Sequence, residues 1–283
     1  MLKKSLFLTI IFLHLSFLGF AQRTDDQRTL TTKIVDLLAV MPSKDQKQLE
    51  ENMEEMSRLG VEGLTELANM LSAPGSGDNT TLEYALAGYS FYVTDNNREE
   101  LRAEAVKAYC QSLGNAQNPD VKAFLISQLQ MVGKEDAIYC LTPYLGDERL
   151  CDAAARSLAS INTTSAGETL RSALKESNGI CKESILAALG DIKYKGALQD
   201  ITDYGTNASI KLRKIALYAL ANMADPSSEK LLNEAANNAS YTYSKDNATG
   251  AYIFFIQRLN ESGHSDKATK LAKNLIKIAG RKG

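Results

Sequence analysis

The sequence predicts an all-α protein, an α-α superhelix (solenoid) of stacked helix pairs. The same helical phrase occurs four times, as VKAFLISQLQMV, LCDAAARSLASI, CKESILAALGDI and LRKIALYALANM. In each copy the apolar residues fall on one face of a 3.6-residue helix. A short turn and a second apolar helix follow each copy. Because neither helix of a pair can bury its apolar face alone, neighbouring pairs must stack.

The copies align on one leucine, which we number position 0 of the repeat. Successive leucines are separated by 29, 31 and 31 residues, at Leu129, Leu158, Leu189 and Leu220. Positions −4 and −3 are apolar in every copy and are often alanine, which lets helices approach closely and has the highest helix propensity. Position +12, in the second helix, is also always apolar, as Leu141, Leu170, Ile201 and Leu232. This pattern predicts two buried stripes in each unit.

The phrase ALGDI, from Ala188 to Ile192, followed by a turn and a second apolar helix, resembles the HEAT repeat family in its short HEAT-like form. The copies AARSLASI and IALYALANM resemble the core of the family's first helix in the same way. The glycine that follows position 0 is present only as Gly190, so the subtype of the repeat stays open. The resemblance implies a curved array whose first helices line an inner surface.

The first 21 residues have the pattern of a secretory signal peptide. Lys3 and Lys4 precede a mostly apolar run, and Gly19 and Ala21 are small residues suited to cleavage after Ala21. A retained membrane anchor is the alternative, but the run is interrupted and is shorter than the about 20 apolar residues that a span needs. We therefore expect an exported protein, periplasmic or at the cell surface, with no transmembrane span after cleavage.

Composition and motifs give no support to catalysis or to nucleic-acid binding. Without residues 1–21 the chain has 30 basic and 34 acidic residues, and this mildly acidic balance argues against nonspecific nucleic-acid binding. His264 is the only histidine beyond the leader, and the chain has no HExxH or GxSxG motif. We expect no catalytic residues, no metal ligands and no cofactor, although sequence alone does not exclude a pair of carboxylates.

Export would permit disulfides, and four cysteines follow the leader: Cys110, Cys140, Cys151 and Cys181. Cys151 and Cys181 occupy positions −7 and −8 of successive units, at the same height on neighbouring helices. Packed helix axes lie about 8–10 Å apart, whereas the Cα atoms of a disulfide lie within about 7 Å. On this comparison we favour buried, unbonded cysteines over a bridge.

The sequence divides into four regions. Residues 1–21 are the signal peptide, 22–96 a divergent helical region, 97–238 the HEAT-like repeats, and 239–283 a loop with a final helix pair. Side chains of the first helices are the candidate binding residues for an acidic or carbohydrate-bearing partner, at positions −7 and −2 of the repeat: Lys122, Lys182, Arg213, Arg156 and Tyr218. The alternative, which we favour, is that these cations belong to the repeat pattern and pair with neighbouring acids.

A second resemblance involves the stretch from Arg23 to Pro42 and the phrases YALAGYSFYV, from Tyr84, and VKAFLISQLQMVGKEDA, from Val121. They are similar to the HEAT-rich N-terminal region of exported Bacteroidetes proteins that carry a C-terminal 3-keto-disaccharide hydrolase domain. No hydrolase domain is present here, so no catalytic residue is implied. Two hypotheses follow: a noncatalytic exported scaffold that binds a protein or glycan partner, or the N-terminal module of a carbohydrate-active multidomain protein.

Overall fold

The computed structural model describes residues 28–279, and this part of the chain forms 15 α-helices with short 3-10 turns between them and no β-strand. The helices form two layers. The odd-numbered layer consists of α1 (Leu30–Ala39), α3 (Gly60–Asn69), α5 (Glu99–Asn115), α7 (Ile138–Leu141), α9 (Thr164–Glu176), α11 (Leu198–Asn207), α13 (Glu229–Asn238) and α15 (Ser265–Ala279). The even-numbered layer consists of α2 (Gln46–Ser57), α4 (Thr80–Tyr92), α6 (Pro119–Val132), α8 (Cys151–Ile161), α10 (Gly179–Asp191), α12 (Ile210–Met223) and α14 (Ala248–Glu261).

Each even-numbered helix contacts the next even-numbered helix from α2 to α14, and the odd-numbered helices follow one another in the second layer. The four repeated phrases are α6, α8, α10 and α12, and their partners are α7, α9, α11 and α13. The predicted all-α solenoid of HEAT-like helix pairs is therefore confirmed.

The two layers do not pack equally closely along the array. The even-numbered layer is packed most closely from α6 to α14, whereas the odd-numbered layer is packed most closely between α3 and α5. Two grooves open where a layer is loose, one between α2 and α4 and one between α9 and the 3-10 turn Thr142–Gly146.

The buried positions agree with the repeat alignment. The side chains at positions −4, −3, 0 and +12 are fully buried in all four units. Gly190 shows how closely the helices approach, because a Cβ atom at this position would lie 2.5 Å from the Cβ of Ala219 on α12. The one glycine of the repeat that the sequence singles out is thus explained by the contact between α10 and α12.

The prediction of unbonded cysteines is wrong. Cys151 and Cys181 form a disulfide between α8 and α10 with their Cα atoms 5.3 Å apart, and Cys110 and Cys140 form another between α5 and α7 with a Cα distance of 5.6 Å. The prediction compared a distance between helix axes with a limit on the distance between Cα atoms. Each Cα lies about 2.3 Å from its own axis, so two facing Cα atoms are about 4.6 Å closer than the axes. Axes about 8–10 Å apart therefore bring facing cysteines within bonding range.

The predicted signal peptide lies outside the described residues. Among the helices within residues 28–279, none is long and apolar enough to cross a bilayer. The helix boundaries are compatible with regions divided near residues 96 and 238, because α4 ends at Tyr92, α5 begins at Glu99 and α13 ends at Asn238. The division into four regions stays a prediction.

Candidate functional site

Two of the predicted binding lysines lie over tyrosine rings. The Nζ atom of Lys122 is 5.2 Å from the centroid of the Tyr144 ring, and that of Lys182 is 5.5 Å from the centroid of Tyr204. In both cases the lysine is on the first helix of a unit and the tyrosine follows in the second half of the same unit. Each pair therefore forms a cation–π contact between the two layers.

The sequence contains a signal for these contacts that the repeat alignment above did not use. Both tyrosines occupy position +15 of their units, 22 residues after the lysine at position −7. In the two units whose position −7 is not lysine, position +15 is alanine, as Ala173 and Ala235. The tyrosine thus occurs in the units where a lysine can lie over it.

The two predicted arginines have carboxylate partners. On α12, Arg213 Nε lies 3.1 Å from Asp246 Oδ2, and both side chains are mostly buried. On α8, Arg156 forms an ion pair of 3.1 Å with Asp152 one turn earlier, where both side chains are exposed. Asp152 also accepts a hydrogen bond from Ser184 on α10. Arg213 is therefore used in packing α12 against the loop before α14, whereas Arg156 remains accessible.

Tyr218 is the one aromatic residue among the five, and it stacks on Phe254 of α14. The ring centroids are 5.3 Å apart and the planes differ by 7°. The guanidinium of Arg258 lies 4.9 Å from the Phe254 centroid. Tyr218 is 47% exposed, and Ile253, which precedes Phe254 in the sequence, is 51% exposed. We call Tyr218, Ile253, Phe254 and Arg258 the aromatic patch.

The structure thus distributes the five predicted residues between two roles. Lys122, Lys182 and Arg213 contact other parts of the array, and Arg156 and Tyr218 are exposed on the even-numbered layer. No hydrogen bond, ion pair or ring contact joins any two of the five within residues 28–279. Whether they bind a partner stays a prediction. Phe254 and Arg258 were not predicted from the sequence because α14 lies beyond the four aligned copies.

The titratable groups with the largest pKa shifts belong to the core and to an ion-pair network. Burial raises the pKa of Tyr89 to about 12 and also raises the pKa of Tyr109, whose hydroxyl bonds to Ser90. Hydrogen bonds from Arg102 and Lys134 lower the pKa of Glu99 to about 2. Within residues 28–279, no three His, Cys, Asp or Glu side chains are grouped as metal ligands.

Comparison with known proteins agrees with the repeat assignment. Residues 106–190, less than a third of the chain, match the family model for HEAT repeats. None of the curated proteins compared with the chain matches it. Among solved structures, the complex of CpcE and CpcF of phycocyanin lyase from Nostoc sp. PCC7120 is similar at 15% identity and a TM-score of 0.40, over 92% of this chain and 98% of that chain. A computationally designed self-assembling cyclic homooligomer is similar at 16% identity and a TM-score of 0.18, over 89% and 91% of the two chains.

Proposed function

We propose that this chain is an exported, noncatalytic scaffold that binds a protein or glycan partner through the aromatic patch on its even-numbered layer. The observation that carries the proposal is the stack of the exposed Tyr218 ring on the partly buried Phe254, with Arg258, which pairs with Glu261, beside it. Tyrosine, phenylalanine and arginine are enriched in the centres of protein interfaces. A repeat array also offers an extended surface on which such a patch meets a partner.

Export is supported by the leader pattern and by the cysteines. The disulfides Cys110–Cys140 and Cys151–Cys181 use all four cysteines of the chain. Structural disulfides are typical of oxidising compartments such as the bacterial periplasm and the extracellular space, and are rare in the cytosol of mesophiles. The two observations are independent, because one comes from residues 1–21 and the other from residues 110–181.

Site-specific photocrosslinking in the source organism tests the aromatic patch. A photoreactive phenylalanine analogue at position 218 should form a discrete crosslinked adduct with the partner. The same analogue at position 139 is the matched control, because Tyr139 is 65% exposed but lies on α7 of the odd-numbered layer.

An adduct at position 218 that is absent at position 139 supports the proposal. Tyr218→Ala should then weaken capture of that partner without altering the far-ultraviolet circular dichroism, since the side chain is exposed. Equal labelling at both positions, or none at position 218, would contradict it.

The second candidate function is that the chain is the N-terminal module of a carbohydrate-active multidomain protein. Its support is the resemblance of the Tyr84 and Val121 phrases to such proteins. The mass of the native protein, detected with an antibody against residues 22–283, separates the two. A mass of roughly 28–29 kDa, the chain without its leader, favours the free-standing scaffold. A much larger mass favours the module.

A further inference from the structure

A groove opens between α2 and α4, where the even-numbered layer is loosely packed. Its volume is about 740 Å³, within the range of roughly 300–1,000 Å³ that is usual for ligand sites. Leu49 and Met53 of α2 line one side, and Tyr84, Phe91 and Tyr92 of α4 line the other. The groove is separate from the aromatic patch, which lies on α12 and α14.

The aromatic side of the groove is arranged along a single helix face. Tyr84, Gly88 and Phe91 are at positions i, i+4 and i+7 of α4, so they lie in one line. Phe91 is 76% exposed, although burial of a phenylalanine side chain normally stabilises a folded protein. Packing within this chain therefore does not use the Phe91 ring.

Gly88 leaves a gap between the two rings. Glycine within a helix is less favourable than alanine, so a packing reason would be expected. None is present: a Cβ atom at Gly88 would lie 3.6 Å from Met53 Cε, an ordinary contact. Because Gly88 has no side chain, the space next to Met53 in the groove stays open.

Polar groups at the rim are suited to a peptide backbone. The hydroxyl of Tyr84 accepts a hydrogen bond from the backbone N–H of Ser43, so its own proton can be donated to a ligand carbonyl. Asp45 and Glu50 place carboxylates on the rim from the α2 side. At the far end Arg98 lies 3.5 Å from the Tyr92 centroid and pairs with Asp95. Lys44 also lines the α2 side, so the three charged residues there leave one net negative charge, which complements a single cationic side chain.

We propose that this groove binds an extended, proline-rich peptide segment with a basic residue at its flank, in the polyproline II conformation. Seven residues of α4 separate Tyr84 and Phe91 by about 10.5 Å along the helix axis. A polyproline II helix repeats after three residues, or about 9.3 Å, so prolines one turn apart can contact both rings. Such a helix leaves its carbonyls without internal hydrogen bonds, and aromatic-lined grooves recognise it elsewhere.

The proposal deepens the proposed scaffold function by adding a second, chemically defined binding site. It is tested on residues 22–283 with a fluorescent polyproline peptide of about nine residues that has an arginine at each end. Fluorescence anisotropy should show saturable binding. Phe91→Ala should weaken the binding about tenfold or more, a loss typical of an interface residue that contributes strongly.

The matched control is Met131→Ala. The fully buried Tyr89 corresponds to position 0 in α4, so Phe91 and Met131 both lie two residues after position 0, and Met131 is 47% exposed. It should leave the affinity unchanged. Gly88→Leu, which fills the gap between the rings, should weaken binding without altering the circular dichroism spectrum.

Equal binding of a glycine–serine peptide with the same terminal arginines, or an unchanged affinity in Phe91→Ala, would overturn the proposal. So would binding of soluble oligosaccharides that Phe91→Ala abolishes while the polyproline peptide does not bind, because the occupant would then be a glycan. These outcomes are distinct from failure of the scaffold function, which is read from crosslinking at position 218 and does not depend on α4.

Discussion

Cys151 and Cys181 are bonded across the first turns of α8 and α10, with their Cα atoms 5.3 Å apart. The other disulfide, Cys110–Cys140, joins α5 to α7, and both bonds close loops of the same sequence separation, 30 residues. One bond therefore reinforces the closely packed even-numbered layer. The other joins two odd-numbered helices that make few other contacts. Together they link consecutive units in the middle of the array.

We predict that each disulfide stabilises the protein by about 3–4 kcal/mol, the loop-entropy value for a closed loop of this length. The pair Cys151→Ala and Cys181→Ala should lower the free energy of unfolding in urea by this amount, and the pair Cys110→Ala and Cys140→Ala should do the same. Dithiothreitol should destabilise the natural sequence and leave the variant without cysteines unaffected. An unfolding midpoint of the natural sequence that does not respond to the reductant would contradict this account.

Substitution of two helical glycines by alanine should change the free energy of unfolding in opposite directions. At Gly88 the new Cβ has room. The higher helix propensity of alanine should therefore raise the free energy of unfolding of Gly88→Ala by about 0.5–1 kcal/mol. At Gly190 the Cβ would lie 2.5 Å from the Cβ and 2.8 Å from the Cα of Ala219, and overpacking of this kind costs about 1–3 kcal/mol. The cost exceeds the gain, so Gly190→Ala should be destabilised by about 1–2 kcal/mol.

Thermal or urea unfolding of the two variants checks the prediction, and each serves as the control for the other. The contrast depends mainly on the neighbouring helix, since both residues are helical and only Gly190, in the last turn of α10, meets a close neighbour. Stabilisation by Gly190→Ala would show that α10 and α12 are not held as closely as described.

The sequence was sufficient to predict the fold because periodicity determines which side chains are buried. Position 0 and position +12 are buried in every unit, as their spacing indicates. The disulfides were missed because helix-axis spacing was compared with a Cα distance. The groove beside Phe91 could not be predicted, because its opening depends on how α2 and α4 diverge. The aromatic patch could not be predicted either, because it depends on the contact between α12 and α14, and α14 lies outside the aligned copies.

A buried arginine joins α5 to the end of α6. Arg102 is 6% exposed and donates hydrogen bonds to the Val132 carbonyl at 2.9 Å, to Asp136 at 2.7 Å and to Glu99 at 3.0 Å. A cation at a helix C-terminus is also favoured by the helix dipole. Arg102→Met would leave the Val132 carbonyl without this donor, whereas both carboxylates remain in contact with solvent. We therefore expect Arg102→Met to lower the free energy of unfolding by about 2 kcal/mol, which is less than the cost of removing one partner of a fully buried ion pair.

The matched control is Arg156→Met, which removes an exposed ion pair with Asp152. Exposed pairs contribute about 0–1 kcal/mol, so urea unfolding of this variant should be close to that of the natural sequence. Equal destabilisation of the two variants would mean that the buried interactions of Arg102 stabilise the protein no more than the exposed ion pair of Arg156.

Glu99 should make the stability of this network sensitive to acid. Hydrogen bonds from Arg102 (Nε to Oε1, 3.0 Å) and from Lys134 (Nζ to Oε2, 2.7 Å) lower the pKa of Glu99 from 4.5 to about 2. Because the folded-state pKa lies below the unfolded value, the folded state favours the ionised carboxylate. The stabilisation is thus fully present above about pH 4.5 and is lost as the pH falls from 4.5 through 2.

The measurement is the difference in unfolding free energy between the natural sequence and Glu99→Gln as a function of pH. This difference should be constant near neutral pH and should shrink as the pH falls below about 4.5. In an Arg102→Met background the dependence on pH should be weaker, because the first of the two hydrogen-bond donors is absent. A difference that stays constant down to pH 2, or an identical dependence in the Arg102→Met background, would show that Arg102 does not hold the Glu99 carboxylate in the ionised form.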